Sequence, residues 1–97
     1  MNKLDYVPAM YSYLLDIDLF YKGKNDEVLK EVSHLKLKID EYAKAPSKET
    51  FEELDKTYKG FFDGSGNLKK VYTRVKDKVD NLGEMIFRTR EILYKFN

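Results

Sequence analysis

Residues 25–44 read NDEVLKEVSHLKLKIDEYAK, and this stretch decides the fold class. Its apolar residues recur at alternating intervals of four and three positions, which places them on one face of an α-helix. They are Val28, Val32, Leu35, Ile39 and Tyr42. Asn25 is a favourable N-cap, and the acidic residues that follow it complement the dipole of the first turn. Pro46 disfavours a helical residue before it, so we expect this helix to end near Ala45.

A helix is also predicted on the N-terminal side of this stretch. It starts near Asp5, which can serve as the N-cap, and Pro8 then falls in the first turn, where a missing N–H costs nothing. It ends at Gly23, a residue that favours helix termination. Its apolar stripe consists of Leu4, Val7, Tyr11, Leu14 and Tyr21, with Met10 and Ile17 widening it.

Two further helices are predicted on the C-terminal side. The third begins at Ser47 or Thr50, and Thr50 and Glu53 have the spacing of a capping box. Its stripe is Phe51, Leu54, Tyr58 and either Phe61 or Phe62. The fourth begins at Asn67 as N-cap and would be about 45 Å long if unbroken, with Gly83 as its weak point. Its stripe is Leu68, Tyr72, Val75, Val79, Leu82, Ile86, Leu93 and Phe96, with Thr89 filling the gap.

These elements predict an all-α fold. Short connections between amphipathic helices favour antiparallel neighbours, so we expect an up-down-up-down four-helix bundle with a long C-terminal helix. A chain of 97 residues is expected to form a single helical domain, residues 1–97. The centre of the core is predicted to contain Val32, Leu35, Ile39, Val75, Val79 and Leu82.

Composition excludes several classes of function. Lys and Arg total 18 against 17 Asp and Glu, a balance that argues against nucleic-acid binding through overall charge. The absence of Cys rules out disulfides and thiolate zinc sites and suits a reducing compartment. No apolar run is long enough to span a membrane, and no signal-peptide pattern stands at the start. We therefore expect a cytoplasmic protein.

The run DGSGN, residues 63–67, has oxygen-bearing side chains at the first, third and fifth positions of a calcium loop. The sixth position should be Gly and is Leu68, and the twelfth should be Glu and is Arg74. A cation in place of the strongest anionic ligand argues against binding of calcium. We expect a plain turn in which both glycines adopt positive φ and Asn67 caps a helix, with no metal ligands.

The sequence offers no catalytic constellation. His34 is the only histidine and is predicted to be a surface residue beside the core stripe. Asp16 and Asp18 are two positions apart on a helix and do not face each other, so they are not an acid–base pair; one is expected to pair with a lysine of the long helix. With no nucleophile–base pair, Gly-rich phosphate loop or metal set, we expect a protein that is not an enzyme, with no catalytic or cofactor-binding residues and no cofactor.

The fourth helix carries the clearest charge asymmetry, with eight cations between residues 69 and 95 against four acids. Aromatic and Arg residues together dominate binding hot spots. The sequence therefore predicts a partner-binding surface in the C-terminal half of this helix, formed by Phe87, Arg88, Arg90, Tyr94 and Lys95. An acidic protein partner would meet Arg88 and Arg90, and peripheral contact with an anionic membrane is a further expectation. The alternative is that both aromatic residues pack against the first helix and the arginines are merely solvated.

In helix lengths and order, the chain resembles bacteriocin immunity proteins of the enterocin A type. The resemblance is carried by NDEVLKEVSHLKLKIDEYA, the Pro-Ser break that follows and the two helices after it. It implies a cytosolic protein that shields its producer by engaging a toxin or its membrane receptor. No functional residue carries over from the resemblance.

A second resemblance is to WXG100-like helical proteins of type VII secretion. The FDG of residues 62–64 is similar to Trp-x-Gly. It implies a helical partner or substrate of that secretion system. Both resemblances imply a small non-catalytic protein-binding module whose partner is another protein. The oligomeric state is left open.

Overall fold

The structure is a computed structural model that describes residues 1–95. Over these residues it is all-helical and has no β-strand, in agreement with the predicted fold class. The α-helices are α1 (Val7–Tyr21), α2 (Asp26–Lys44), α3 (Lys48–Tyr58) and α4 (Lys76–Lys95). Two 3-10 segments, Lys59–Phe61 and Lys70–Val75, lie between α3 and α4.

Helices α2 and α3 begin with side-chain caps. The side-chain oxygen Oδ1 of Asn25 accepts a hydrogen bond from the Val28 N–H at 3.1 Å, which confirms the predicted cap of α2. The Ser47 hydroxyl accepts from the Thr50 N–H at 3.1 Å, and Thr50 Oγ1 accepts from the Ser47 N–H at 3.1 Å. The capping box therefore joins Ser47 to Thr50, and the predicted box between Thr50 and Glu53 is wrong.

The predicted cap of α1 is wrong as well. Helix α1 begins at Val7 after Tyr6, which makes no capping hydrogen bond through its side chain. Asp5 lies in the preceding turn, where its Oδ2 accepts a hydrogen bond from the backbone N–H of Asn2 at 3.0 Å. Pro8 does fall in the first helical turn, as predicted. The carboxylate of Asp5 thus closes the turn before the helix instead of starting the helix.

The predicted start of the fourth helix is also wrong. The backbone N–H of Asn67 donates to Oδ1 of Asp63 at 3.0 Å, so Asn67 closes a loop. Leu68 then pairs with Phe62 in an isolated bridge, and this extended pairing delays helix formation. The α-helix begins only after a 3-10 segment, and the 20 residues of α4 are about 30 Å long instead of about 45 Å.

The predicted core centre is confirmed. All six residues named for it are buried, with at most 4% of their surface exposed. In α1 the assignment is shifted, because Met10 and Ile17 are fully buried while Leu4 remains 39% exposed. Thr89 fills the gap in the α4 stripe, fully buried, and its Oγ1 donates to the Met85 carbonyl at 2.9 Å. The prediction for Phe96 falls outside the described residues.

Helix α1 packs against α2 and α4, and α2 packs in turn against α3. The hydrophobic core draws buried side chains from all of these helices. Within residues 1–95, none of the helices has both the length and the apolar character needed to cross a membrane.

Tyrosine hydroxyls tie the elements together. A buried tyrosine places an apolar ring in the core and needs an acceptor for its hydroxyl. The ties run from Tyr42 to the Lys3 carbonyl (2.6 Å), from Tyr58 to the Val79 carbonyl (2.8 Å), from Tyr11 to Asp40 (2.5 Å), from Tyr21 to the Val71 carbonyl and from Tyr72 to Glu31. Burial raises the pKa of Tyr42 and of Tyr58 to about 12, so these hydroxyls remain donors over a wide pH range.

Gly83 marks a close approach between α3 and α4. A Cβ atom at this position would lie 2.3 Å from the Tyr58 hydroxyl oxygen and 2.9 Å from Cζ of the same ring. Such distances lie far inside van der Waals contact, so only glycine lets the tyrosine reach the Val79 carbonyl. Helix α4 runs from Lys76 to Lys95 without interruption at this glycine.

Candidate partner-binding site

The five predicted partner-binding residues do not share one side of α4. Successive residues of an α-helix are about 100° apart, so Arg88 and Arg90 point about 160° apart around the axis, and Phe87 lies between them, about 20° from Tyr94. The side that meets α3 is here called the α3-facing stripe and contains Val79, Gly83, Arg90 and Tyr94. The other side is called the open stripe and contains Glu84, Phe87, Arg88, Glu91 and Lys95.

On the α3-facing stripe, Arg90 is bound by acidic residues of α3. Its Nη2 donates to Asp55 Oδ2 at 2.8 Å, and its Nη1 lies 3.4 Å from Glu52 Oε2. Its guanidinium carbon is 5.1 Å from the centre of the Phe51 ring. Partial burial lowers the pKa of Arg90, but the charges of Asp55 and Glu52 together outweigh it and raise that pKa above its ordinary value. Asp55 is only 8% exposed, so this arginine neutralises a buried carboxylate within the chain.

Tyr94 also contacts α3. Its hydroxyl donates to Glu52 Oε2 at 2.5 Å, and its ring meets the Phe51 ring edge to face at 6.5 Å. The Lys48 ammonium lies 4.9 Å from the centre of the Tyr94 ring. The Tyr94 hydrogen bond is the main reason that the pKa of Glu52 is lowered, and the same bond raises the pKa of Tyr94. The ring is therefore part of the α3–α4 contact although it is partly exposed.

The open stripe borders a groove of about 430 Å³. Phe87 is 54% exposed there, although most apolar side chains of α4 are buried. Ile92 contributes a further apolar side chain from α4, and Met1 and Tyr6 close the groove from the N-terminal side. Apolar side chains at the floor and edges of a concave surface are typical of a binding site for an apolar group.

The N-terminal turn that borders the groove is held by specific hydrogen bonds. Asn2 Oδ1 accepts from the Leu4 N–H at 2.8 Å, which closes the turn. The Lys3 carbonyl accepts from the Tyr42 hydroxyl at 2.6 Å, which fastens the turn to α2. The Arg88 guanidinium carbon lies 5.9 Å from the centre of the Tyr6 ring, a cation–π distance that links the turn to α4.

Charges along the groove are balanced within α4. Lys95 Nζ lies 2.9 Å from Glu91 Oε2, and Arg88 Nε lies 3.9 Å from Glu84 Oε2. Both are surface pairs four residues apart, which contribute only about a few tenths of a kcal/mol. The Arg88 pair is the longer of the two, so Arg88 is the cation of this groove best able to accept an acidic group from outside.

The remaining cations of the predicted basic cluster lie at the other end of α4 or before it. Lys78 Nζ is 3.2 Å from Asp16 Oδ2, which confirms that one of the α1 aspartates pairs with a lysine of the long helix. Lys69, Lys70 and Arg74 form no ion pair with any other residue between 1 and 95. The unbalanced positive charge therefore precedes α4 and does not coincide with the groove.

The loop of residues 63–67 has its own internal bonding. Oδ1 of Asp63 accepts from the Ser65 N–H at 2.8 Å and from the Asn67 N–H at 3.0 Å. Gly66 has a φ of +82°, as predicted, but Gly64 does not have positive φ. Within the described residues, no cluster of three or more His, Asp and Glu side chains is placed to hold a metal ion. His34 is exposed on α2, as predicted.

Sequence reasoning missed the N-terminal half of the groove. Met1 and Tyr6 become neighbours of α4 only through the packing of α1 on α4, and no local sequence pattern predicts that contact. The separation of Arg88 from Arg90 was available from helical periodicity alone. The same rule that separates Asp16 from Asp18 applies to residues 88 and 90.

Comparison of this chain with protein-family models, with curated proteins and with solved structures finds no match.

Proposed function

We propose that this chain is a small non-catalytic module that binds another protein through the groove along the open stripe. The observation that carries the proposal is the half-exposed Phe87 ring, which lines the same groove as Ile92 and Met1, in a groove whose charges are balanced internally. An aromatic anchor with a nearby arginine is the residue set that dominates protein–protein hot spots. The partner would insert an apolar side chain next to Phe87 and place an acidic group near Arg88.

The proposal includes an antiparallel up-down-up-down arrangement of a single domain. Three contacts between opposite ends of neighbouring helices support it: Tyr42 with Lys3, Lys78 with Asp16, and Tyr94 with Glu52. In that arrangement the N-terminal turn lies beside the end of α4. The groove would then depend on the packing of the first helix against the last.

In its more specific form, the proposal is a cytoplasmic immunity protein of the enterocin A type that engages a toxin or its membrane receptor. Support comes from the order and number of the helices in residues 1–95 and from the break at Pro46, the features that carry the resemblance. None of the contacts described among residues 1–95 supports the alternative, a WXG100-like partner or substrate of type VII secretion.

Affinity capture from the native host tests the general proposal. The wild-type chain is expected to retain a protein that is lost with Phe87→Ser and with Arg88→Glu, because both changes alter the groove while leaving the core intact. Lys30→Glu, a charge reversal of an exposed α2 residue, is the matched control and should retain the protein. Equal capture by the wild type and both groove variants would contradict the proposed site.

Protection tests the specific form. Cells sensitive to enterocin A-like bacteriocins, expressing the wild-type chain, are expected to survive exposure that kills cells expressing Phe87→Ser. If the chain captures a partner but protects against none of the bacteriocins tested, it is a binding module and not an immunity protein of this type.

A further inference from the structure

Residues 1–5, here called the strap, are fastened to the rest of the molecule by few contacts. All five are exposed, and their two apolar side chains, Met1 and Leu4, keep 82% and 39% of their surface in contact with solvent. None of the five forms an ion pair with any residue that the structure describes. Burial of apolar surface and ion pairing therefore contribute little to holding the strap in place.

Two hydrogen bonds connect the strap to residues 6–95. The Leu4 carbonyl accepts from the Val7 N–H at 3.2 Å, which ties the strap only to the start of α1. The Lys3 carbonyl accepts from the Tyr42 hydroxyl at 2.6 Å, and this bond is the one that reaches a different helix. Pro8 has no N–H, so the first turn of α1 offers one donor fewer to the carbonyls that precede it. The Tyr42 hydroxyl is therefore the main attachment of the strap.

Within itself the strap is bonded as a unit. Asn2 Oδ1 accepts from the Leu4 N–H at 2.8 Å, Asp5 Oδ2 accepts from the Asn2 N–H at 3.0 Å, and the Asn2 carbonyl accepts from the Asp5 N–H at 3.0 Å. The ring of Tyr6, by contrast, packs against the hydrophobic core. A segment with few buried apolar contacts and solvent-exposed hydrogen bonds opens locally at a low free energy. The boundary of such an opening lies between the strap and Tyr6.

We propose that the strap is a hinged unit that opens as a whole at the junction with Tyr6, and that the Tyr42 hydroxyl is the latch that holds it closed. In the closed form Met1 borders the groove of the open stripe, which it lines together with Ile92 of α4. Release of the latch moves Met1 away and opens this side of the groove to solvent. The effect on partner binding rests on the proposed function, whereas the opening itself does not.

Tyr42→Phe tests the latch, because it removes the hydroxyl and keeps the fully buried ring that meets Phe51 edge to face. Amide hydrogen exchange of the full chain, followed by nuclear magnetic resonance, measures the opening at Leu4 and Asp5. Exchange of these two amides is expected to be about 2–10 times faster than in the wild type, the factor for the loss of one hydrogen bond. Limited digestion with trypsin should release residues 1–3, by cleavage after Lys3, faster by a similar factor.

Tyr21→Phe is the matched control. Tyr21 is also buried, and its hydroxyl donates to the Val71 carbonyl, a backbone acceptor far from the strap in sequence. Both variants lose one hydrogen bond of a buried tyrosine, so the slowest amides of the core are expected to exchange faster by similar factors in both. Faster exchange at Leu4 and Asp5 is expected in Tyr42→Phe alone.

The link between the strap and the groove is measured at Ile92. Its methyl resonances should shift in Tyr42→Phe and keep their positions in Tyr21→Phe, because Met1 borders the same groove. Equal exchange of the strap amides in the wild type and Tyr42→Phe would overturn the latch. Strap amides that exchange as slowly as those of the core would overturn the hinge, since the strap would then open only when the whole chain unfolds. Unchanged Ile92 resonances would overturn the link to the groove. None of these measurements uses a partner, so their failure is distinct from a failure of the capture experiment.

Discussion

On the two stripes of the C-terminal half of α4, residues of the same types make different contacts. On the α3-facing stripe, Arg90 binds the buried carboxylate of Asp55, and Tyr94 binds Glu52. On the open stripe, Arg88 has a loose ion pair within its own helix and a cation–π contact with Tyr6, and Phe87 is half exposed. The two arginines point about 160° apart around the helix axis, and Phe87 lies at the border between the stripes, about 20° from Tyr94.

The difference shows that residue type alone does not identify a binding surface. Arg90 and Tyr94 are partly exposed, yet their polar atoms are already engaged by α3. What distinguishes the open stripe is the lack of a facing helix with matching acids. Substitutions on the two stripes should therefore separate stability from binding.

The largest effect is expected from Gly83→Val on the α3-facing stripe. The new side chain would occupy the position of the Tyr58 hydroxyl, so either the ring or α4 must move. Overpacking of this kind costs about 2–3 kcal/mol of the free energy of unfolding, measured by denaturant titration. The same substitution in a Tyr58→Ala background should cost much less. A loss below about 0.5 kcal/mol in the wild-type background would show that the two helices are not in close contact.

Arg90→Ala should have the next largest effect. It leaves Asp55 with only the Lys59 ammonium, 3.3 Å away. Because Arg90 is about one-third exposed and Asp55 is nearly buried, we expect a loss of about 1–2 kcal/mol, between the values for surface and buried pairs. Arg88→Ala on the open stripe is the matched control and should change stability by less than about 0.5 kcal/mol. Equal losses for the two arginines would abolish the distinction between the stripes.

Phe87→Ser should change the free energy of unfolding by less than about 0.5 kcal/mol, since the ring is largely outside the core. The same variant should lose partner capture. Thermal or chemical denaturation measures the first effect, and the capture experiment measures the second. A clear loss of stability would mean that Phe87 belongs to the core and does not act as a binding anchor.

The last prediction concerns alkaline pH. Burial raises the pKa of Tyr58 from 10.0 to about 12 in the folded state. A raised pKa in the folded state stabilises the protein below pH 10 and loses that contribution as the pH rises towards 12. Tyr58→Phe should therefore flatten the decline in stability between these pH values, followed by denaturation at each pH. An unchanged slope would show that this hydroxyl does not ionise on unfolding.

Sequence patterns predicted those features of the fold that depend only on residues close together in the chain. The spacing from Val28 to Tyr42 identified α2 and its buried face. The predicted cap Asn25 is correct because its hydrogen bond depends only on residues of the same turn. Asn67 has the same residue type, but the bridge between Phe62 and Leu68 holds the chain extended there. That contact lies outside the reach of a capping rule, since it depends on how the loop folds back.

The candidate site was predictable only in part. Phe87 and Arg88, predicted from composition and spacing, do line the groove, whereas Arg90 points towards α3, as the helical angle between it and Arg88 requires. Tyr6 and Met1 could not be found, since their proximity to α4 comes from the packing of α1 and from the hydrogen bond between Tyr42 and Lys3.

The contact of Tyr58 with Gly83 links two positions in the course of evolution. A side chain at position 83 obliges a tyrosine at position 58 to leave its place beside α4, whereas a small residue at position 58 frees position 83 for alanine, which favours the helix. The two positions should therefore change together and in that order. Phenylalanine at position 58 would be a poor intermediate, because its ring still crowds position 83 while the hydrogen bond to the Val79 carbonyl is gone.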